Sequence, residues 1–171
     1  HSFFTNLGYE VVLSDRSSKA LYSLGQHTIP SDTICYPAKL VHGHIQSLID
    51  KGLQTIFYPC MTYNVNEDMG DNHFNCPVVA YYPEVVEGNM NLGHVKFLYP
   101  YVYLEDKRIF DQKMFEYFKA QQMDIPFKDV QAASNHAYFA YQQFKDRVQE
   151  EGRNAIAFAR RNHRDVIVLA G

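Results

Sequence analysis

Two rhythms of apolar residues divide the chain. Between Ala38 and Lys51, apolar side chains fall at Leu40, Val41, Ile45, Leu48 and Ile49, a helical period that Gly52 ends. The same reasoning predicts a shorter helix over Ser17–Leu24, closed by Gly25, and an opening one through Phe3, Phe4 and Leu7, stopped by Gly8. Short runs rich in β-branched and aromatic residues predict strands at Tyr9–Ser14, Thr55–Tyr58 and Pro77–Tyr82. Val95–Leu104 reads as a fourth strand, which Pro100 makes irregular or confines to an edge. Residues 60–75, with Asn64, Asn66, Gly70, Asp71, Asn72 and Asn75, have the composition of a long loop.

From Lys107 to about His163 the period is helical, and three helices are expected, broken near Pro126 and Gly152. Asp165–Leu169 is then a closing strand. Alternation of strands with helices is the mark of a parallel sheet, so the expected fold is α/β: a layered, mostly parallel Rossmann-like or flavodoxin-like sheet with a helical C-terminal half. Residues 1–171 are expected to form a single domain. Within it, 1–104 is an α/β part that carries the cysteines, 105–164 is helical and 165–171 closes the sheet. Because residue 1 falls inside a helical pattern and the last strand stops where a loop should begin, the chain reads as a fragment of a longer multidomain protein.

Charge narrows the partners. A formal net charge of -3 offers neither a phosphate backbone nor an anionic membrane the clustered Lys and Arg that each requires. No run approaches the roughly 18 apolar residues of a membrane span, and the N-terminus lacks a basic segment followed by an apolar one. Three cysteines are an odd number for a secreted disulfide framework and favour a reducing, cytoplasmic setting.

Cys35, Cys60 and Cys76 share no short ligand motif. Each nonetheless stands at the end of a predicted element, where sites are usually built. A helix N-terminus at Cys35 favours thiolate, the form that binds iron. Three thiolates converging on a [4Fe-4S] cluster would leave one iron open, whereas the plainer reading makes all three ordinary buried thiols. With strands at 55 and 77 as parallel neighbours, Cys60 and Cys76 fall on opposite edges of the sheet, so convergence requires a different pairing or a folded-back loop. His42 and His44, two apart on a helix, face different directions; either joins cysteines around zinc in an alternative, tetrahedral site. Gly43 between them suggests close helix packing or close approach of a ligand. Lys39 lies one turn into the same helix, where it meets an anion or simply water. Glu67, Asp68 and Glu84 have no second half of an acid–base set nearby, and Gly88 and Gly93 make no phosphate loop. An enzyme complete in itself is therefore not expected.

The segments Phe3–Ser14, Ile29-Pro-Ser-Asp-Thr-Ile-Cys-Tyr-Pro-Ala-Lys-Leu-Val-His-Gly-His44, Ile56-Phe-Tyr-Pro-Cys60 and Asn75-Cys-Pro-Val-Val-Ala80 together resemble a known domain. It is the domain of unknown function in large activator-like proteins of the 2-hydroxyacyl-CoA dehydratase system, the CoA-substrate-specific enzyme activase family. The terminal Val166–Gly171 also fits. The resemblance implies low-potential electron transfer coupled to ATP hydrolysis by ATPase modules of the same parent protein. It also implies partners among dehydratase and double-cubane-type iron–sulfur proteins. In those relatives three cysteines hold each [4Fe-4S] unit, which would place Cys35, Cys60 and Cys76 as ligands, with Lys39, His42 and His44 as motif positions of no assigned role. The expected function is thus an iron–sulfur-binding, electron-relay domain. The alternative is a non-catalytic α/β module that binds a partner protein or an acyl-CoA and keeps its cysteines for structure.

Overall fold

The computed structural model describes residues 1–66 and 70–169. Contacts gather the chain into two compact units, one of residues 1–10 with 131–171 and one of residues 11–130. Mixed helices and small parallel sheets, with a helical C-terminal half, make the α/β class that the sequence predicts. Glu67 and Asp68 lie outside the described residues.

Among the described residues, the unit of residues 11–130 holds all the strands. Helix α2 (Lys19–Gly25) is capped by Ser18, whose hydroxyl accepts from the Leu21 amide at 3.1 Å. It packs on helix α3 (Tyr36–Asp50), which begins after an extended Cys35 with Pro37 in its first turn. Gly52, at φ +74°, follows the end of α3, a left-handed position that glycine takes without a Cβ penalty.

Strand β1 (Thr55–Phe57) pairs in parallel with β3 (Lys96–Leu98), and β2 (Cys60–Tyr63) pairs in parallel with β4 (Tyr101–Tyr103). The two ladders are one ribbon interrupted at Pro59 and Pro100, neither of which has an amide hydrogen to give. Tyr58 N donates to Leu98 O at 2.8 Å and Cys60 N to Pro100 O at 2.9 Å, which carries the pairing across the interruption. Pro100 therefore makes the fourth predicted strand irregular, and residues 60–63, expected as loop, are strand.

A larger correction concerns the third predicted strand. Pro77–Tyr82 opens helix α4 (Pro77–Asn89). Val78, Tyr82, Val86 and Met90 recur every four residues and pack with Ala38 and Ile45 of α3 and Ile56 of β1 in one core. The helical period outweighs the β propensity of the paired valines, and Pro83 is accommodated within the helix. Helix α5 (Lys107–Ala120) starts at Asp106, whose carboxylate accepts from the amides of Arg108 and Ile109 at 2.8 and 3.4 Å. Asp106→Ala should lower the urea midpoint of unfolding, because the amides of Arg108 and Ile109 lose their acceptor.

Helix α1 (Ser2–Asn6) and helix α6 (Phe127–Arg161) complete the helices. α6 begins directly after Pro126, as expected, but runs through Gly152 without a break; a single helical glycine costs only about 1 kcal/mol relative to alanine. Neither terminal strand forms among the described residues. Residues 9–18 and 164–169 have no regular structure, and Leu13 and Val166–Leu169 are exposed. Residues 13–17 are instead tied to α3 by side chains. Ser14 and Ser17 hydroxyls meet the two ring nitrogens of His44 at 2.8 and 3.1 Å, and Asp15 accepts from Ser47 and Lys51, both at 2.8 Å.

Candidate thiol site

Cys35 and Cys76 occupy equivalent positions. Each is the extended residue before a helix, at φ -61° with ψ 152° and 156°, and each is followed by a proline in the first helical turn. Neither thiol caps its own helix. Both are exposed, whereas Cys60, held in the ribbon by Pro100, is fully buried; none of the three is in a disulfide. Placing Cys76 at the head of a helix removes the obstacle raised by the strand assignment, because Cys60 and Cys76 no longer sit at opposite edges of one sheet.

Two tyrosines of the core, the half-buried Tyr58 and the buried Tyr82, respond to the cysteines. The Tyr58 hydroxyl is pushed up to about 12, first by burial and then by negative charge at Tyr82, Cys60 and Cys76. Burial likewise raises Tyr82, with Cys35 as the second cause. Cys60 and Cys76 thus act on Tyr58, and Cys35 acts on Tyr82. Burial also pushes the Cys60 thiol up to about 11; negative charge at Glu84 adds to this, and hydrogen bonding with Tyr101 opposes it. Tyr101 donates to Glu84, and Tyr99 donates to Glu87 at 2.5 Å. These pairs fasten the start of β4 and the residue before Pro100 to one face of α4. The alternating aromatic run Phe97, Tyr99, Tyr101, Tyr103 therefore serves packing through its rings and cross-linking through its hydroxyls.

The remaining motif positions are engaged within the protein. Lys39 Nζ donates to Asp32 O at 2.7 Å. His44 has a serine on each ring nitrogen, and His42 has Thr28 on Nδ1 and Tyr82 on Nε2, both at 2.8 Å. Gly43 is where α2 crosses α3: a Cβ there would stand 2.0 Å from Leu21 O, and one on Gly25 would stand 2.3 Å from Gly43 N. Close helix packing is thus the physical content of the His-Gly-His motif.

Among the described residues, no three His, Cys, Asp or Glu side chains form a group able to hold a metal ion. Sequence reasoning missed Tyr58, Tyr82, Glu84 and Tyr101 as members of the site. The four-residue period from Val78 to Met90 was the signal that would have placed Tyr82 and Glu84 on a helix beside Cys76. No helix among the described residues is long and apolar enough to cross a membrane. A family model described as a CoA enzyme activase uncharacterised domain matches residues 1–171. No curated protein and no solved structure matches the chain.

Proposed function

The chain belongs to the CoA enzyme activase family, as its uncharacterised domain, and from that membership we propose an iron–sulfur-binding, electron-relay domain of an activator-like protein. Cys35, Cys60 and Cys76 are the proposed ligands of a [4Fe-4S] cluster. The observation that supports the reading is the matching placement of Cys35 and Cys76 at the heads of α3 and α4, in the same extended conformation. The donor set fits the group: three soft thiol ligands suit a cluster that presents a separate iron to each, so they need not crowd as they would around one ion. When bound, such a cluster accepts and passes on single electrons. The chain's own contribution is to hold Cys60 rigidly in the ribbon, to place the other two thiols at the heads of α3 and α4, and to wall the site with apolar and phenolic side chains. The proposed partners are ATPase modules of the same parent protein and a dehydratase or double-cubane-type iron–sulfur protein, in the cytoplasm.

Reconstitution of the protein with iron and sulfide under anaerobic conditions tests this directly. The expected product is brown, with about four irons per chain by chemical assay, and Cys→Ser at any one of the three positions abolishes or cripples uptake. A folded protein that takes up no iron, or one silent substitution, sinks the three-ligand reading. The burial of Cys60 and its raised thiol favour the second reading, a non-catalytic module for a partner protein or an acyl-CoA with structural cysteines. In that case Cys60→Ser lowers stability and changes nothing else.

A further inference from the structure

Over its second half, helix α6 holds large apolar side chains in solvent. Tyr141, Phe144, Val148 and Phe158 are 39%, 56%, 54% and 55% exposed. Together with the exposed Ala155 they are spaced by three, four, seven and three residues, the positions of a heptad seam. Helical stability comes mostly from packing such a stripe rather than from propensity, so a stripe left open is a surface for a second helix. Gly152 stands on the same face, inside the helix, where glycine costs about 1 kcal/mol relative to alanine. At Gly25 and Gly43 the chain itself explains the missing side chain, because a Cβ there would collide with the apposed helix; at Gly152 a Cβ would meet nothing within 4 Å. The seam is thus large before Val148, at Tyr141 and Phe144, and small after it, at Gly152 and Ala155.

A two-fold axis at Val148 that sets two copies of α6 antiparallel brings these halves together. Phe144, four residues before the axis, comes level with Gly152 of the other copy, four after it; Tyr141, seven before, comes level with Ala155, seven after. The Phe144 ring then enters a hole bounded by positions 148, 151, 152 and 155, the knobs-into-holes arrangement of paired helices. Charge permits the match: between Phe139 and Phe158, Lys145, Arg147 and Arg153 balance Asp146, Glu150 and Glu151, so a second copy meets no net repulsion and no strongly charged partner is favoured. With their flanks, side chains of this kind bury roughly 600 Å² per copy and about 1,200 Å² in all, the lower end of stable specific interfaces. We infer that α6 is a self-association surface, through which two copies of the chain pair antiparallel about Val148. The inference is independent of the proposed cluster.

Sedimentation velocity of the full chain tests it, with reductant present so that the exposed thiols do not cross-link. The chain should be dimeric at about 100 µM and dissociate on dilution toward about 1 µM, as suits an interface of this size. Phe144→Glu should raise the dissociation constant about tenfold or more. Gly152→Phe should do the same although it adds apolar surface, since it fills the hole that Phe144 enters. This variant separates the two-fold pairing from unspecific apolar contact, which it would strengthen. Phe139→Glu, two and a half turns from Val148 and so on the opposite face, should leave the constant within about threefold. All three positions are exposed and Gly152 has open space around it, so each variant should keep its helical circular dichroism. A chain that stays monomeric at about 100 µM leaves the face to a partner of another kind and overturns the inference. A Gly152→Phe dimer as tight as the wild type, or an equal loss in Phe139→Glu, overturns it as well.

Discussion

Gly43→Ala is expected to destabilise the Val11–Val130 unit by about 3 kcal/mol or more, above the ordinary range for an overpacked core because the clash is with backbone. The new methyl carbon would stand 2.0 Å from Leu21 O and 2.7 Å from Leu21 C, and neither atom can move without displacing α2. Gly25→Ala should behave alike, since its Cβ would meet Gly43 N and His42 C, both at 2.3 Å. Urea unfolding followed by circular dichroism gives the magnitude. A loss under 1 kcal/mol for Gly43→Ala would mean that α2 slides on α3 far more freely than two apposed glycines imply. Separation of the helices would also pull Gly25 and Thr28 from His42.

Lys107→Met is expected to cost about 3 kcal/mol, because it strands a buried carboxylate. Asp111 is 2% exposed, and its Oδ2 accepts from Lys107 Nζ at 2.7 Å while Oδ1 has no partner among the described residues. Lys107 is itself partly exposed, so the pair adds less than its Coulomb attraction suggests; the large effect comes from leaving one charge behind. Asp111→Leu in the Lys107→Met background should recover most of the loss, since a buried ion pair replaced by apolar groups is often neutral or better. If Lys107→Met alone proves silent in urea titrations, water reaches Asp111 and the carboxylate is not isolated.

What the sequence by itself determined is local. The period of Leu40 to Ile49 gave α3, Gly25 and Gly52 marked helix ends, and Pro126 marked the start of α6, because each rests on backbone geometry or on one face of one helix. The strands at Thr55–Tyr58 and within Val95–Leu104 were legible, but that they pair with each other, and that residues 60–63 form a further strand, was not. The same propensities misled at Tyr9–Ser14 and Asp165–Leu169, since a strand exists only with a neighbour to pair with, and among the described residues neither run has one. They misled again at Pro77–Tyr82, where β-branched residues hid a period of four.

The thiol site divides in the same way. Cys35, Cys60 and Cys76 could be singled out from the chain alone, and the family they suggest is the one the chain belongs to. That Cys76 heads a helix, that Tyr82 lies in the core against α3, and that His42 meets Thr28 and Tyr82 were decided by tertiary structure. The physical reason is that these relations join residues many positions apart through side-chain contacts, and no local period or propensity encodes which distant partner a buried hydroxyl will meet.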